Sequence, residues 1–305
     1  MRSIILLFVC LALAAACLAS TPFFRHAATH NRHTPREYIY VNCGDVQQFR
    51  VGDDGGLVSL HPATAPGLSR GAFIYISPDR RHLYAPNYND EAISQYQIKP
   101  NGSLIPLVPP SVPAGTFNMT LAFSQDGRAA YATNLTSNTI SQYHISPDGA
   151  LEPKKPSEVP AGDVLDGICL PPHRRFAYAP NRGGIRQFRI SVDGSLHALS
   201  PAFFPIGKDV DTIIFDSAGR FAYALCDDDT GIRQFRISAD GQLHPLSPAV
   251  APLPGGAYFA QGDVPPGNLY AAMSSGIYQF HISTDGGLLP LTVKPFVRTS
   301  AAHLT

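Results

Sequence analysis

The chain has 305 residues, 23 basic and 23 acidic side chains, and 15% charged residues. This balance leaves no electrostatic footprint for nucleic acid or for an anionic membrane surface, so neither class of partner is expected. With 44% hydrophobic residues, the composition also excludes a disordered chain and predicts a well-buried globular body.

The first 20 residues have the pattern of a cleavable signal peptide. Residues 4–19 form an unbroken run of apolar or small side chains behind Arg2, with small residues at Ala19 and Ser20 for cleavage. The run is shorter than the ~20 residues that a permanent membrane anchor needs. We therefore predict a secreted or periplasmic protein without a membrane span after cleavage. Residues 21–36, rich in His, Arg and Thr, are expected to form a flexible tail before one domain over residues 37–305.

A repeat follows, marked by a Gln-aromatic pair that recurs at intervals of 47, 47, 45, 47 and 45 residues. Eight residues after each aromatic stands a Leu, here called the repeated Leu. The glutamines are Gln48, Gln95, Gln142, Gln187, Gln234 and Gln279, and the repeated leucines are Leu57, Leu104, Leu151, Leu196, Leu243 and Leu288. A fixed period in this range is typical of a propeller or solenoid, whose units bury their apolar faces on neighbouring copies.

Each copy has the pattern of four short strands. In the third copy, strands are predicted at residues 121–123, 129–133 and 139–145, with a fourth beginning at Leu151. An Asp-Gly or Asn-Gly turn separates the last two strands, because Gly supplies the positive φ of a tight hairpin. No long run has the 3.6-residue period of a helix. These features predict an all-β propeller of four-stranded blades.

Counting the copies predicts six blades and a way of closing the ring. The domain begins with a second strand, so the first blade lacks its innermost strand. Residues 300–305 align with the start of an innermost strand and have nothing after them. We expect this C-terminal strand to pair in the first blade and remove the open sheet edge.

The segments at residues 77–84 and 131–140 resemble the lactonase-like β-propeller family. That family includes propeller-type 6-phosphogluconolactonases and the YVTN-repeat surface proteins. The resemblance implies seven blades as the alternative to six, and lactone chemistry as an activity. Family enzymes tend to open certain innermost strands with a Pro-His pair. The second positions here are Ala72, Met119, Asp166 and Asp211, and only the terminal His303 keeps an imidazole.

A ligand is expected at the mouth of the central channel, where connections between blades meet. Asp166 and Asp211 occupy equivalent positions on neighbouring blades, so they can converge as a general base or as ligands of Ca²⁺. The alternative is that they cap turns. With His303 they are the candidate catalytic residues. The candidate ligand-binding residues are Arg70, Asn118, Lys208, Asp209 and Arg298. The basic members suit an anionic group, or are solvated charges on the rim.

Two classes of function follow from these residues. The first is a platform that binds a small molecule or a protein at the channel mouth, which the missing imidazoles favour. The second is a lactone hydrolase of the 6-phosphogluconolactonase type, which the resemblance favours, in a form with or without Ca²⁺. No cofactor is required by either reading, and the sequence leaves open whether the protein is an enzyme.

Overall fold

A computed structural model describes residues 4–6, 37–43, 45–67, 73–163, 167–226, 231–253, 257–262, 267–273 and 276–291. These residues form six sheets and no helix, which confirms the all-β prediction. No helix of the described segments is long and apolar enough to cross a membrane.

The six sheets follow one another along the chain. Sheet 1 contains β1 (Ile4–Leu6), β2 (Tyr38–Cys43), β3 (Asp45–Val51) and β4 (Leu57–Ala65). Sheet 2 contains β5 (Tyr75–Ile76), β6 (His82–Asn87), β7 (Ala92–Ile98) and β8 (Leu104–Pro113). Sheet 3 contains β9 (Asn118–Phe123), β10 (Ala129–Asn134), β11 (Thr139–Ile145) and β12 (Leu151–Pro160). The strands of the third copy therefore lie where the sequence predicts them, with β9 and β12 longer than the predicted cores.

The second half repeats this order. Sheet 4 contains β13 (Phe176–Asn181), β14 (Gly184–Ile190) and β15 (Leu196–Pro205). Sheet 5 contains β16 (Val210–Phe215), β17 (Phe221–Cys226), β18 (Gly231–Ile237) and β19 (Leu243–Pro252). Sheet 6 contains β20 (Ala257–Gly262), β21 (Asn268–Met273), β22 (Gly276–Ile282) and β23 (Leu288–Pro290). Apart from β1, neighbouring strands within each sheet are antiparallel.

Sheet 4 departs from the predicted four strands. In place of an innermost strand it has one isolated bridge, in which Cys169 and Tyr178 exchange two backbone hydrogen bonds of 2.8 and 2.9 Å. Residues 164–166, just before the bridge, lie outside the described residues, so the bridge is what the described part of the chain holds at the inner edge of sheet 4.

The apolar core lies between the sheets. The described residues form five apolar clusters, and each joins two consecutive sheets, from sheets 1 and 2 to sheets 5 and 6. Sheets 2 to 5 thus bury their faces on the copies before and after them, and sheets 1 and 6 each bury one face on a neighbour, as repeated units without a core of their own must do.

Two hydrogen bonds made by the repeated residues join each pair of consecutive sheets, and we call this arrangement the joint. A buried Tyr of the second strand donates to the carbonyl oxygen of the hairpin glycine in the next sheet, over 2.6 to 2.8 Å. The Gln of the third strand accepts the backbone N–H of the next sheet's repeated Leu, over 2.6 to 2.9 Å. Burial raises the pKa of the phenols of Tyr84, Tyr131 and Tyr178, so these side chains stay protonated and donate.

The same glutamine also bonds within its own sheet. In sheet 3, Gln142 Nε2 donates to the carbonyl oxygen of Pro156 over 2.8 Å, and its Oε1 accepts from Leu196 over 2.9 Å. The pairing of β11 with β12 shifts register between Ser141 and Tyr143. This bulge leaves backbone groups for Gln142 to satisfy, which explains why an amide recurs at this buried position.

In sheet 1, the hairpin glycine and the repeated Leu have no preceding described sheet with which to form a joint. Leu57 is 51% exposed there, whereas the repeated Leu of the other five sheets is at most 7% exposed. No described atom lies within 4 Å of a Cβ built on Gly55, whereas a Cβ on Gly241 would lie 2.3 Å from the ring of Phe176. At the far end of the series, Gln279 donates to the hydroxyl of Tyr270 over 3.3 Å. The described sheets therefore form a series that is not closed.

The inner edge of sheet 1 is occupied from the N-terminal side. Strand β1 pairs in parallel with residues 38–40 of β2, at the edge where the sequence predicts the C-terminal strand. Residues 300–305 lie outside the described residues, as do residues 7–36.

His82 provides a prediction about stability in acid. Its buried side chain stands at the joint against Gly149, where sheets 4 and 5 carry Phe176 and Phe221. Burial lowers the pKa of this imidazole from its ordinary 6.5, against the opposing effect of the Asp79 carboxylate. Below pH 6.5 the unfolded chain therefore binds more protons than the folded chain at this position, and stability falls as the pH falls towards the folded pKa.

We expect His82→Phe to remove this sensitivity, because Phe makes the equivalent contact in sheets 4 and 5. At pH 5 the variant should melt about 2 to 4 °C above the wild type, with a smaller difference at pH 7.5. Melting followed by circular dichroism at both pH values measures this, with the exposed His197→Phe as the control. Equal pH profiles for the wild type and His82→Phe would contradict the assignment.

Candidate functional site

The turns of the sheets fall on two faces of the protein. Connections from the fourth strand of one sheet to the next sheet, and turns between second and third strands, lie on what we call the mouth face. Turns between first and second strands, and between third and fourth strands, lie on the opposite face. This division follows from the antiparallel order, because successive turns alternate between the two ends of a sheet.

The structure describes four of the eight site residues that the sequence predicts. Lys208 and Asp209 lie in the connection from sheet 4 to sheet 5, Asp211 lies in β16, and Asn118 begins β9. All four belong to elements or connections at the mouth face. Arg70, Asp166, Arg298 and His303 lie outside the described residues, so the predicted convergence of Asp166 with Asp211 remains a prediction.

Asp211 occupies a bulge at the start of its innermost strand. Val210 pairs with Cys226 and Thr212 pairs with Leu225, so Asp211 is an extra residue in the ladder. A β-bulge re-aims the side chain of its extra residue and is common beside functional sites. The half-buried Asp211 carboxylate is therefore set apart from the regular alternation of the strand.

The same irregularity recurs in sheets 3 and 6. In β9 it falls at Met119, and in β20 it falls at residue 258, between the pairings of Ala257 and Phe259. Two of the positions at which the sequence resemblance implies a His, Met119 and Asp211, are therefore bulged positions. None of the described innermost strands β5, β9, β16 and β20 contains a His.

An arginine bridges the two connections on either side of sheet 4. Arg182 Nε lies 3.4 Å from Asp163 Oδ2 and 3.8 Å from Asp209 Oδ2. Two backbone bonds fix the arrangement: Arg182 N–H donates to the Asp163 carbonyl oxygen, and Gly183 N–H donates to Asp209 Oδ1, each over 3.0 Å. Consecutive connections are thus tied together through one turn of the sheet between them.

Arg182 is not among the site residues predicted from the sequence, because those residues lie in or next to connections between sheets. Turns between second and third strands open on the same face, and this is the signal that identifies it. A second arginine, Arg186 in β14, has a buried Nε without a hydrogen-bond partner among the described residues. A Cβ built on Gly162 would lie 3.5 Å from Arg186 Nη1, so Arg186 approaches the connection that carries Asp163.

Asn118 fixes part of the mouth face through hydrogen bonds of its side chain. It is fully buried, and its Nδ2 donates to the carbonyl oxygens of Gly115 over 3.2 Å and of Asn87 over 3.4 Å. Its Oδ1 has no hydrogen-bond partner among the described residues. The side chain therefore ties the connection before β9 to sheet 2, and one acceptor is left unused.

We call the charged group on the mouth face the rim cluster: Asp163, Arg182, Lys208, Asp209 and Asp211. Three carboxylates and two cations give it a formal charge of minus one, and its Arg182 side chain is 63% exposed. A group with both acceptors and donors and little net charge suits a ligand with several hydroxyl groups better than a strongly charged one. No group of three or more His, Cys, Asp or Glu side chains that could hold a metal ion occurs in the described segments.

Comparison with known proteins agrees with the fold. Residues 25–165 match the sequence profile of the family described as "Lactonase, 7-bladed beta-propeller". No curated protein sequence matches.

Solved structures are similar over more of the chain. A periplasmic gluconolactonase of Pseudomonas aeruginosa has a TM-score of 0.61 and 18% identity over 82% of this chain and 79% of its own. A Bacteroides fragilis protein, whose name suggests 6-phosphogluconolactonase activity, has a TM-score of 0.55 and 22% identity over 69% of this chain. The match spans 65% of the B. fragilis chain.

Another structural relative has a different activity in its name. Hydrazine synthase of Kuenenia stuttgartiensis has a TM-score of 0.55 and 11% identity over 78% of this chain and 70% of its own. At these identities the structural likeness shows the fold alone, and activity has to be argued from the site. Together with the profile match over residues 25–165 and the six described sheets joined by repeated residues, these likenesses support a fold like that of the lactonase-type β-propellers.

Proposed function

We propose that the protein is an exported binding module whose rim cluster holds a small, hydroxyl-rich ligand at the mouth of the channel. The observation that carries this proposal is Arg182, which lies between the carboxylates of Asp163 and Asp209 on two consecutive connections. A ligand hydroxyl can accept from the guanidinium and donate to a carboxylate at the same place. The bulge at Asp211 supplies a further acceptor two residues after Asp209.

The charge of the rim cluster supports a neutral ligand. With a formal charge of minus one, the cluster would not attract a phosphorylated sugar, whose phosphate is held in proteins by an excess of Arg or Lys. The predicted export signal supports the same choice, because phosphorylated intermediates are kept inside cells.

Lactone hydrolysis is the second candidate function. It is supported by the lactonase profile over residues 25–165 and by the gluconolactonase name of the P. aeruginosa protein. Asp166 or Asp211 would act as the general base, and Lys208, Arg298 or His303 would orient the substrate. A Ca²⁺-dependent form of this reaction would use the two carboxylates as metal ligands.

The two functions separate in one set of measurements. Calorimetric titration of the mature protein with glucitol, a neutral polyol, and hydrolysis of glucono-1,5-lactone followed by titration of released acid, are measured with and without Ca²⁺. We expect glucitol to bind and the lactone not to be turned over, and Arg182→Gln to weaken glucitol binding about tenfold. The exposed Arg189→Gln of β14 removes the same charge away from the mouth face and should leave binding unchanged.

Turnover that Asp211→Asn abolishes would replace the binding module with the hydrolase. A melting temperature that rises with Ca²⁺ in the wild type, but not in Asp166→Asn/Asp211→Asn, would establish the metal site. Binding that Arg182→Gln does not change would contradict the role of the rim cluster.

We also propose that residues 1–20 are removed on export to the periplasm or the cell exterior. The apolar run of residues 4–19 and the periplasmic location named for the P. aeruginosa relative support this. N-terminal sequencing of the exported protein should begin near Thr21, with residues 21–36 accessible to protease. Retention of residues 4–6 in the exported protein would contradict it.

We propose, finally, that the mature protein closes as six blades, with residues 300–305 paired in the first blade and sheet 6 joined to sheet 1. Gly55 and Leu57 lack the contacts of their counterparts, and Gln279 and Tyr270 bond to each other. Closure would let Tyr270 and Gln279 make the usual joint with Gly55 and Leu57.

Substitution at Gly55 tests this closure. If sheets 6 and 1 are joined, Gly55→Ala should lower the free energy of unfolding by about as much as Gly241→Ala, about 3 to 5 kcal/mol. Urea denaturation of the mature protein measures it. A loss of only about 1 to 2 kcal/mol, the cost of the positive φ alone, would mean that the series stays open.

A further inference from the structure

The opposite face carries a cleft that the proposed function does not use. It lies between sheets 3 and 4, with a volume of about 1060 Å³. Its walls are the turn between β9 and β10, residues 171–175 before β13, and the turn between β14 and β15. The volume is at the upper end of the roughly 300 to 1,000 Å³ of small-molecule pockets, so the cleft has room for a short extended chain.

The cleft has an excess of positive charge. Arg128, Lys154, Arg174 and Arg175 line it together with two carboxylates, Asp126 and Asp193. Four cations against two carboxylates leave a formal charge of plus two, before any protonation of the lining histidines His144 and His173.

Both carboxylates are already engaged in their own turns. Asp126 Oδ1 accepts from the Ser124 hydroxyl over 2.6 Å and from the Arg128 N–H over 3.1 Å. Asp193 accepts from the N–H and the hydroxyl of Ser195, over 3.1 and 2.7 Å. The Ser124 hydroxyl contributes most to holding the pKa of Asp126 low, so this carboxylate stays ionised within its turn. Neither is therefore a dedicated partner for the guanidinium groups of sheet 4.

The excess charge comes from one change in the repeat. In sheets 2, 3 and 5 the turn before the second strand carries a carboxylate that bonds inside the turn: Asp79, Asp126 and Asp216. The corresponding turn of sheet 4 is Pro171-Pro172-His173-Arg174-Arg175 and has none. No carboxylate lies within ion-pair distance of Arg174 or Arg175 in the described part of the chain.

This turn is held in place from both sides. Gln125 of sheet 3 accepts the His173 N–H through Oε1 and bonds the ring Nδ1 through Nε2, each over 3.1 Å. On the other side, Gly219 of sheet 5 packs so closely that a Cβ there would lie 3.1 Å from Arg174 Cγ and 2.1 Å from the Pro172 carbonyl oxygen. The two arginines are therefore presented by a fixed turn, which reduces the entropy lost on binding.

The walls of the cleft also contain aliphatic side chains. Leu170, Pro171 and Val192 line it, and Val192 is 88% exposed. The phenyl ring of Phe123, which also lines the cleft, packs on Tyr84 with ring centroids 5.6 Å apart. An aliphatic wall beside unpaired guanidinium groups fits an aliphatic side chain flanked by carboxylates better than it fits a sugar ring.

We propose that this cleft binds an extended acidic peptide segment, with carboxylates at Arg174 and Arg175 and an aliphatic side chain against Val192. The partner is thus a protein with an exposed Glu- or Asp-rich segment that contains Leu, Ile or Val. The proposal does not depend on the function of the mouth face, which lies at the other end of the sheets.

Fluorescence anisotropy with a labelled peptide of alternating Glu and Leu tests the proposal. We expect saturable binding to the mature protein that weakens at least about tenfold in Arg174→Gln/Arg175→Gln. The matched control is Arg80→Gln/Arg81→Gln, which removes the same two charges from the equivalent turn of sheet 2, beside Asp79. Binding within about twofold of wild type in this control is the expected result.

Two further arms identify the ligand. A peptide with Ser in place of Leu should bind more weakly, because it loses the contact with Val192. A sulfated oligosaccharide that binds as tightly as the peptide, or a Ser-containing peptide that binds equally well, would overturn the peptide assignment. Equal losses in the two double variants would show that binding follows overall charge, and would overturn the site.

Discussion

Replacing Gly241 with Ala should be among the most destabilising single changes in the described part of the protein, with a loss of about 3 to 5 kcal/mol in the free energy of unfolding. Two costs add. Gly241 has a φ of 90°, which a side chain disfavours. A Cβ there would also lie 2.3 to 2.4 Å from two ring carbons of Phe176 in the preceding sheet. That ring is packed in the joint between sheets 4 and 5 and cannot withdraw without opening it.

The control for this prediction is Gly183→Ala. Gly183 has a φ of 74° in a turn on the mouth face, and no described atom lies within 4 Å of a Cβ built on it. We expect this variant to lose about 1 to 2 kcal/mol, the backbone cost alone. Urea denaturation of both variants gives the difference. Similar losses in the two would mean that packing at the joint contributes little.

Gln142→Ala should lower the free energy of unfolding by about 3 kcal/mol. The side chain is 1% exposed, and its amide bonds the carbonyl oxygen of Pro156 and the N–H of Leu196. Truncation leaves both backbone groups buried without a partner, and each such group costs roughly 1 to 3 kcal/mol. The loss should also lower the cooperativity of unfolding, because the bond to Leu196 joins two sheets.

The matched control for Gln142 is Gln97→Ala. Gln97 lies in β7 and is exposed, so its truncation should change stability by no more than about 0.5 kcal/mol. Thermal and urea denaturation compare the two variants. A Gln142→Ala protein as stable as the Gln97→Ala protein would contradict the role of the amide in the joint.

The sequence predicts the strands well because its landmarks are local. Asp-Gly turns and alternating strands depend on neighbours in sequence, and the repeated Leu begins the last strand of each of the six described sheets. The repeated Gln and Leu also form hydrogen bonds between sheets, and the period of the repeat alone does not predict these bonds. Only the structure shows that Gln142 bonds the N–H of Leu196, 54 residues later.

The candidate site is less predictable, because it depends on turns that are close in space and distant in sequence. Lys208, Asp209 and Asp211 were identified from their place after a fourth strand. Arg182 was not, since it follows a second strand and meets Asp163 and Asp209 only after folding. The positive charge of the cleft on the opposite face depends on the absence of a carboxylate from one turn. Motifs are defined by residues that are present, so they do not reveal this absence.

The joint has a direction, and this bears on how such proteins change in size. Every sheet offers hydroxyl and amide groups on one flank and a glycine carbonyl with a leucine N–H on the other. After duplication or deletion of a copy, the sheets that become neighbours therefore still present complementary hydrogen-bonding groups to each other. Gain or loss of a whole repeat in evolution therefore needs no new interface.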